Sequence, residues 1–363
     1  MNSHDSSEPE VGTAESDAAS TNHDAQADAT VSPVDESNQV EHKQASESRR
    51  AIPPVKMPPP KKGPDKIFAG VTLFTGILIV AVVAAIALFL LLTAVGPLSR
   101  NEANFLTSTE WTVNNDRLAF GIAGMLWTTV ISSIIALLLA VPVAIGVALL
   151  ITHYTPPRVG RVVGFLVDLL AAVPSVVYGL WGLRVFGPFV QPLGDALSGS
   201  FLGKIPLFAP GLSSSGTMFA TSLVLAIMIL PIITALSRDV FEQTPRDHIE
   251  AAWALGSTKW EMIKTAVIPY GRSGVVAASM LGLGRALGET MAVMMIMSAV
   301  PNFSFSIFSG GETFASKIAK GAPEFDTPTK TGAYIAAGLV LFVLTFAVNA
   351  LARTVAAGGK AKA

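Results

Sequence analysis

An arginine and a glutamate, Arg285 and Glu289, stand inside the apolar run Gly274–Val300. An arginine at the centre of a membrane-spanning helix costs about 2.5–3.5 kcal/mol on insertion scales, so it needs a partner. Glu289 follows four residues later, at the spacing that lets two side chains of one helix meet. Two roles are open for this pair. It is either an ion pair that holds two helices together, or Arg285 offers its planar guanidinium to an oxyanion in transit. In the second case Glu289 neutralises the arginine when the path is empty. Three glycines thin the helix here, so that a neighbouring backbone or a ligand can approach: Gly282, Gly284 and Gly288.

A third charge inside an apolar run is Asp168, six residues from one end of Val162–Leu183. A carboxylate that shallow reaches water or a loop lysine, which favours a structural role over a place on a pathway. Pro174 interrupts the same run, and the Ser175 hydroxyl can hydrogen-bond the backbone groups that a proline frees. The interruption either opens polar backbone toward a pathway or makes a packing kink. Asp168 and Ser175 are therefore secondary candidates for pathway residues.

The residue patterns of enzymes and metal sites are missing from the sequence. It has no cysteine and no phosphate-binding loop of the form G-x-x-x-x-G-K-[ST]. His153 and His248 are isolated, and the methionines that follow Glu289 indicate adaptable helix packing rather than a metal site. An intramembrane enzyme would need convergent catalytic groups that the sequence lacks. We therefore expect no enzymatic activity, no metal and no cofactor bound by this chain, and any ATP must be hydrolysed by another chain.

The elements that position these residues are predicted from composition. Of 363 residues, 51% are hydrophobic and 14% are charged, and mean hydropathy is +0.53, whereas an ordinary soluble protein has about 25% charged residues. This balance excludes a conventional soluble enzyme, and nothing in it indicates a nucleic-acid partner. Six apolar runs approach or exceed the roughly 20 residues that cross a bilayer: Ile67–Val95, Leu118–Ile151, Val162–Leu183, Thr217–Leu236, Gly274–Val300 and Gly332–Leu351. We predict an all-α polytopic membrane protein with six transmembrane helices, the first an uncleaved anchor.

Lysine and arginine counts predict the orientation of these helices. With the N-terminus inside, the inner segments hold 17 of the 25 basic residues and the outer loops hold 7, so both termini are expected in the cytoplasm. Residues 1–66 precede the membrane domain, residues 67–363. They begin with an acidic tail that is predicted to be disordered because it has few large apolar side chains. The Pro-rich basic linker Arg49–Lys66 follows, and it either contacts lipid or is a solvated spacer.

One inner segment, Arg238–Arg272, has helical patterns rather than loop composition. Thr244–Asp247 is predicted to be a capping box that opens a helix ending near Gly256, where a left-handed C-terminal stop is expected. Thr258–Glu261 is a second capping box, and Pro269 is predicted to end its helix. The result is a compact helix-turn-helix unit on the cytoplasmic side. Its predicted apolar surface consists of Ala251, Ala252, Leu255, Trp260 and Ile263.

Part of this unit resembles the EAA loop of ABC-importer permeases, whose pattern is E-A-A, three residues, G, nine residues, I, one residue, L-P. The residues that carry the resemblance are Glu250, Ala251, Ala252, Gly256 and Pro269. The sequence departs from the pattern at Ala266 and Ile268, which stay apolar. In that family, the unit inserts into a groove of a cytoplasmic ATPase and transmits its closure to the membrane helices. The resemblance implies the same coupling role here.

The string Arg285-Ala286-Leu287-Gly288-Glu289-Thr290 resembles the PstC-type permease subunits of the bacterial phosphate ABC importer, and three further strings are similar: Asn104–Trp111, Asp168–Gly182 and Pro269–Gly274. The resemblance extends from about Ile67 to the C-terminus and implies a bacterial plasma-membrane protein that transports phosphate. It implies that Arg285, Glu289 and Thr290 lie on the substrate pathway. The implied partners are a PstA-type permease in a heterodimer, two copies of a PstB-type ATPase that binds ATP and Mg²⁺, and an extracytoplasmic PstS-type phosphate-binding protein.

Two alternatives to phosphate import stay open. An arginine suits any tetrahedral oxyanion, so a permease for sulfate or molybdate is the first. The second is an ion-coupled secondary transporter, which predicts transport driven by an ion gradient without any ATPase. In the favoured mechanism, ATP binding draws two ATPases together, and the loop around Gly256 tilts the membrane helices so that the site near Arg285 faces alternate sides.

Overall fold

The computed structural model describes residues 62–114, 117–212 and 214–358. The predicted disordered tail and most of the basic linker fall within residues 1–61, outside the described residues. The end of the linker, from Lys62, already belongs to the first helix. From Gly70 onward the chain forms one compact unit, Gly70–Ala363.

The described residues form twelve α-helices and one β-hairpin. In chain order they are α1 (Lys62–Ser99), β1 (Trp111–Val113), β2 (Leu118–Phe120), α2 (Ala123–Leu149), α3 (Pro157–Ala171), α4 (Ser175–Trp181), α5 (Gly187–Gly199), α6 (Met218–Glu242), α7 (Arg246–Ala254), α8 (Lys259–Met262), α9 (Ile268–Leu287), α10 (Met291–Ile296), α11 (Phe314–Gly321) and α12 (Pro328–Gly358). Three π-helical segments continue α2, join α4 to α5 and join α8 to α9: Leu150–Tyr154, Gly182–Phe186 and Ile263–Val267. Short 3₁₀ turns follow α5 and α11: Phe201–Lys204, Pro206–Phe208 and Ala322–Glu324.

Five helices in the described part of the chain are long and apolar enough to cross a membrane. They are α1, α2, α6, the continuous helix Lys259–Leu287 and α12. A sixth span results if α3 and the α4–α5 segment, which meet at an angle of 87°, cross the membrane together. The predicted all-α polytopic membrane protein is therefore confirmed, with five or six spans by length and composition.

The third predicted span is not a single helix. α3 ends at Ala171 and α4 begins at Ser175, with a bend of 87° between them. Pro174 has no N–H to donate, and it disfavours the helical conformation at Val173. Two half-length helices therefore replace one span, and Ser175 becomes the first residue of the second.

The fifth predicted span is wrong at both ends. The sequence predicts that Pro269 ends a cytoplasmic helix, but the helix continues without interruption from Lys259 to Leu287. A π-helical segment lies just before Pro269, and this wider turn accommodates a residue that cannot donate a backbone hydrogen bond. At its other end the helix stops at Leu287, and α10 starts only at Met291. The stretch Gly274–Val300 is therefore a long helix, a break and a short helix.

The second and fourth predicted spans have different boundaries in the structure. Leu118–Phe120 is a strand that pairs antiparallel with Trp111–Val113, so the second membrane helix starts only at Ala123. The hairpin is stabilised by an edge-to-face contact between the Trp111 and Phe120 rings, 5.5 Å apart. The fourth helix, α6, continues past Leu236 to Glu242.

Small residues let the central helices α2, α6 and α9 approach one another closely. On α2, an alanine recurs every fourth residue, and all four are at most 1% exposed: Ala136, Ala140, Ala144 and Ala148. On α9, three glycines leave no room for a side chain because Phe241, Val240 and Ile233 of α6 lie against them: Gly271, Gly274 and Gly282. Such spacing is typical of helix pairs packed inside a membrane. By contrast, most large apolar side chains of α1 are exposed, as expected for a helix that faces lipid or another chain.

The two long loops that follow α5 and α10 are held together by backbone hydrogen bonds. Leu212 N–H donates to the Phe308 carbonyl at 2.9 Å, and Ile307 N–H donates to the Leu207 carbonyl at 3.0 Å. The two loops therefore pack on each other as one folded cap. This folded cap lies at the end of the bundle where α9 ends and α12 begins.

Candidate functional site

Arg285 lies in the last turn of α9 rather than at the centre of a helix. The helix ends two residues later, where Gly288 N–H donates to the Gly284 carbonyl at 3.2 Å. In the described chain Arg285 forms no ion pair, and its buried Nε atom has no hydrogen-bond partner. The sequence predicts an ion pair with Glu289, and the structure contradicts it because the helix break removes the i,i+4 geometry. The partly buried guanidinium of Arg285 therefore has an N–H donor, at Nε, that is free to bind a ligand in the described structure.

Glu289 stabilises the break instead of neutralising the arginine. Its side chain is buried, and its Oε1 accepts a hydrogen bond from the Ala292 N–H at 3.0 Å. Thr290 donates from its hydroxyl to the Gly288 carbonyl at 3.2 Å. Both side chains therefore bind backbone groups that the end of one helix and the start of the next leave free. Glu289 and Thr290 fix the turn that follows Arg285.

Arg285 lines a cavity of about 970 Å³ between α9 and α12. The wall beside it is open at Gly284, because a Cβ atom there would meet no other atom within 4 Å. The cavity has further polar residues, at Ser273 on α9 and at Asn349 and Arg353 on α12. It has no carboxylate among its lining residues in the described chain. An anion entering this space would meet two arginines and no opposing negative charge.

Arg353 and Asn349 were not candidates from the sequence. Arg353 counts there as one basic residue of the C-terminal segment, which the positive-inside rule explains without any further role. The available indication was an asparagine within the sixth apolar run, four residues before an arginine, since this spacing puts both on one helix face. Only the packing of α12 against α9 brings that face to the cavity of Arg285.

The two broken helices meet beside this site. A Cβ atom at Gly179 of α4 would lie 3.0 Å from the Ala292 Cα of α10, so the two backbones are in close contact. Tyr178, next to that glycine, lies within electrostatic reach of Arg285 and donates from its hydroxyl to the Leu170 carbonyl at 3.0 Å. The short helix that Ser175 opens thus packs against the short helix that Glu289 caps. Ser175 itself is not among the residues that line the cavity of Arg285.

Asp168 lies in a different place. Its carboxylate pairs with Arg238 of α6, with Oδ2 3.5 Å from the Nη1 atom, and Arg238 also pairs with Asp239 at 3.2 Å. Asp168 and Arg238 line a separate cavity of about 420 Å³, together with Arg161 and Glu242. The contact ties the end of α3 to α6, which agrees with a structural role. The structure does not bring Asp168 to the cavity of Arg285.

The helix-turn-helix unit that is predicted on the cytoplasmic side has its glycine turn. Gly256 has φ of 77°, the left-handed conformation that stops α7, and its N–H donates to the Trp253 carbonyl at 2.9 Å. The capping box of Thr258 and Glu261 is also present, with the Thr258 N–H 2.8 Å from the glutamate Oε2. The first predicted capping box is wrong, because Pro245 takes the N-cap position and the buried Thr244 hydroxyl has no partner in the described chain.

The unit presents apolar side chains outward. Leu255 is 87% exposed, and Trp253 and Trp260 are more than half exposed. Glu250 and Ala251 of the EAA-like segment are exposed, and Ala252 is partly buried. Ile263, a predicted member of this surface, is instead fully buried in the cluster that holds the unit against α6. Large exposed apolar residues on a short, capped helical unit are typical of a surface that docks to another protein.

This protein has membrane-length helices, two helix breaks beside a partly buried arginine, and a capped helix-turn-helix, which together define a membrane-embedded permease. The family described as the binding-protein-dependent transport system inner membrane component matches residues 140–358, and the chain belongs to this family. It is therefore an integral membrane transport subunit. Its EAA-like segment lies inside the matched region.

Relatives with high identity carry a more specific name. The chain is 52% identical over 316 residues to "Phosphate transport system permease protein PstC 2" of Mycobacterium tuberculosis, covering 86% of this chain and 97% of that protein. It is 55% identical over 277 residues to "Phosphate transport system permease protein PstC" of Mycobacterium leprae, covering 75% and 86%. Among solved structures, an inward-facing MetNI methionine ABC transporter covers 65% of this chain and 94% of its own, at a TM-score of 0.47 and 14% identity.

Proposed function

We propose that this chain is a permease subunit of an ATP-driven importer of inorganic phosphate in a bacterial plasma membrane. Its partners are a PstA-type permease, two copies of a PstB-type ATPase and an extracytoplasmic PstS-type binding protein. ATP and Mg²⁺ bind to the ATPase, and this chain binds no cofactor. Both of its termini lie in the cytoplasm, in line with the excess of basic residues on that side.

The observation that carries the proposal is that, within the described residues, Arg285 has no ion-pair partner, its Nε atom has no hydrogen-bond partner, and its cavity has no carboxylate in its lining. A planar guanidinium donates two parallel hydrogen bonds to an oxyanion such as phosphate. The names of relatives that are 52–55% identical favour phosphate over other tetrahedral oxyanions.

Arg285 binds phosphate transiently in this mechanism. Because the residue lies at a helix end, the carbonyl groups of the last turn of α9 place partial negative charge near it, and this weakens its hold on an anion. Glu289 and Thr290 keep the break in one geometry, so they act as positioning residues. Movement of the break relative to α4 then changes the side from which the guanidinium is reached.

The cytoplasmic unit couples this movement to ATP. Closure of the ATPases pulls on the surface around Trp253 and Leu255, and the unit continues into α9 without a flexible joint. Displacement of the unit is therefore transmitted along one helix toward Arg285. In this proposal Glu250, Ala251, Ala252 and Gly256 form the docking segment, and Pro269 lies within the transmitting helix.

Reconstitution tests the proposal. The chain is assembled with its partner permease, ATPase and binding protein in proteoliposomes, and ATP-dependent uptake of labelled phosphate is measured against excess sulfate and molybdate. Phosphate uptake that requires ATP and resists both competitors is expected. Strong competition by sulfate or molybdate would show that the competing oxyanion is the substrate. Uptake driven by an ion gradient without the ATPase would show that the chain is a secondary transporter.

A further inference from the structure

The cavity of Arg285 contains a second set of donors on a different helix. Most of its lining is apolar, and apart from Arg285 its polar side chains are Ser273, Asn349 and Arg353. We propose that Arg353, together with Asn349 and Ser273, forms a second oxyanion-binding station, which phosphate occupies after it leaves Arg285. This inference rests on the proposed phosphate transport.

The two arginines lie at opposite ends of the cavity. Ser273 and Arg285 are twelve residues apart on α9, which separates them by about 18 Å along the helix axis. α9 and α12 are successive membrane-length helices joined at the end where α9 stops, so they pass the membrane in opposite directions. Arg353, near the end of α12, is therefore level with the start of α9 and Ser273. On the predicted orientation this is the cytoplasmic end.

The donors of the second station suit a tetrahedral oxyanion. Asn349 and Arg353 are one helical turn apart and both line the cavity, so an amide and a guanidinium face the same space. The Ser273 hydroxyl lines it from the facing helix. Within the described residues, Arg353 makes no ion pair, whereas Arg117 and Arg238 each contact two carboxylates. Among the described residues, no carboxylate neutralises its charge.

Two separated stations explain how an anion passes without being trapped. Conduction needs binding that is favourable enough to admit an ion and weak or divided enough to release it. Ser273, which is level with Arg353, lies about 18 Å from Arg285 along α9, so one phosphate ion does not span both levels and the two arginines bind it in turn rather than as one strong site. The apolar wall between them, which includes Met280 and Leu281, offers no intermediate charge.

A phosphate group can reach Arg353 from two sources, free phosphate or a lipid head group. Leu281 and Phe346 at the edge of the cavity are more than half exposed, so the cavity is open to the side. An arginine near a helix end also commonly binds lipid phosphates. The lipid composition of the vesicles therefore has to be varied in the test.

The test uses the complete transporter in vesicles of phosphatidylcholine alone and in vesicles that also contain anionic lipid. Arg353→Gln removes the charge, Arg353→Lys keeps it without the planar fork, and Asn349→Leu removes the amide. Arg158→Gln is the matched control, because Arg158 is an exposed basic residue near the same membrane face that does not line the cavity. Uptake of labelled inorganic phosphate and ATPase activity stimulated by the binding protein are measured for each.

We expect Arg353→Gln to lower uptake about tenfold in both vesicle types, the factor carried by one hydrogen bond to a charged group. ATPase activity should persist in Arg353→Gln. Phosphate uptake by Arg353→Lys and by Asn349→Leu should lie between that of Arg353→Gln and that of the unchanged protein, and uptake by Arg158→Gln should equal that of the unchanged protein. Uptake by Arg353→Gln within twofold of Arg158→Gln overturns the station. So does a deficit confined to anionic vesicles, which would assign Arg353 to lipid binding.

Failure of the station and failure of the proposed function are distinguishable in the same experiment. Normal phosphate uptake by both the unchanged protein and Arg353→Gln refutes the station alone. If the unchanged protein takes up sulfate or molybdate instead, the proposed substrate is wrong, and uptake of that oxyanion by the same variants decides the station. If Arg353→Gln assembles poorly, the variants Asn349→Leu and Arg353→Lys decide the question. Phosphate uptake by both variants equal to that of Arg158→Gln refutes the second station.

Discussion

Replacement of Gly282 by alanine is expected to destabilise the protein, and replacement of Gly284 is not. A Cβ atom at Gly282 would lie 2.7 Å from Cδ1 and 2.8 Å from Cγ1 of Ile233 on α6. Ile233 is fully buried, so its side chain can give way to a new methyl group only by displacing neighbours in a packed core. A Cβ atom at Gly284, two residues and about 200° around the helix, meets nothing within 4 Å.

The size of the difference follows from this geometry. Alanine has a helix propensity about 1 kcal/mol more favourable than glycine, and both variants gain it. Extra volume in a packed core typically costs about 1–3 kcal/mol, and only the Gly282 variant incurs that loss. We therefore expect Gly282→Ala to be about 1–3 kcal/mol less stable than Gly284→Ala. Each variant is the other's control, since the same methyl group is added one helical half-turn away.

Unfolding of the purified chain in detergent, followed by helical circular dichroism against denaturant, measures this difference. The order of the two midpoints is the decisive result. Equal midpoints, or a lower midpoint for Gly284→Ala, would refute the close packing of α9 on α6. Reconstituted Gly284→Ala also tests the cavity wall, because it adds a methyl group beside Arg285 without disturbing the core.

The remaining predictions concern the site and the cytoplasmic unit. Arg285→Gln should abolish phosphate uptake while membrane insertion and ATPase binding persist, and near-normal uptake would exclude Arg285 from the mechanism. Gly256→Asp places a side chain at a φ of 77°, at a strain of about 1 kcal/mol or more, and should lower co-purification with the ATPase; unchanged complex yield would contradict the docking assignment. Thr258→Ala should destabilise the unit by about 1 kcal/mol through loss of its cap, measured as faster amide exchange in α8. Asp168→Asn should change stability by less than about 1 kcal/mol and leave uptake intact, because its carboxylate is about half exposed and Arg238 keeps Asp239; a large loss of uptake would return Asp168 to the pathway.

Local chemistry made part of the structure predictable. Gly256 and the box of Thr258 and Glu261 are set by backbone conformation and by hydrogen bonds over three residues, so a short stretch of sequence specifies them. The membrane-length helices were equally predictable, because a bilayer demands long apolar segments whatever their neighbours. The box at Thr244 failed because Pro245 occupies the N-cap itself, a competition between adjacent residues that the pattern does not resolve.

The helix breaks were harder to predict. Gly274–Val300 reads as one apolar run, yet it stops at Leu287 because Glu289 and Thr290 bind the freed backbone groups. Pro269, a residue that should stop a helix, does not, because a π-helical turn absorbs it. In both cases the outcome depends on which backbone groups find hydrogen-bond partners rather than on the hydrophobicity of the segment.

The sequence by itself determined that this chain crosses a membrane and that it carries a capped helix-turn-helix. It also determined that the charge of Arg285, inside an apolar run, needs a partner or a function to offset its cost. Each follows from composition, from capping over a few residues, or from the cost of a charge in hydrocarbon. Only the tertiary structure decided that Arg285 is free of Glu289 and shares its cavity with Arg353. These residues, 68 positions apart in the sequence, line one cavity because α9 and α12 pack together, and no local pattern encodes that packing.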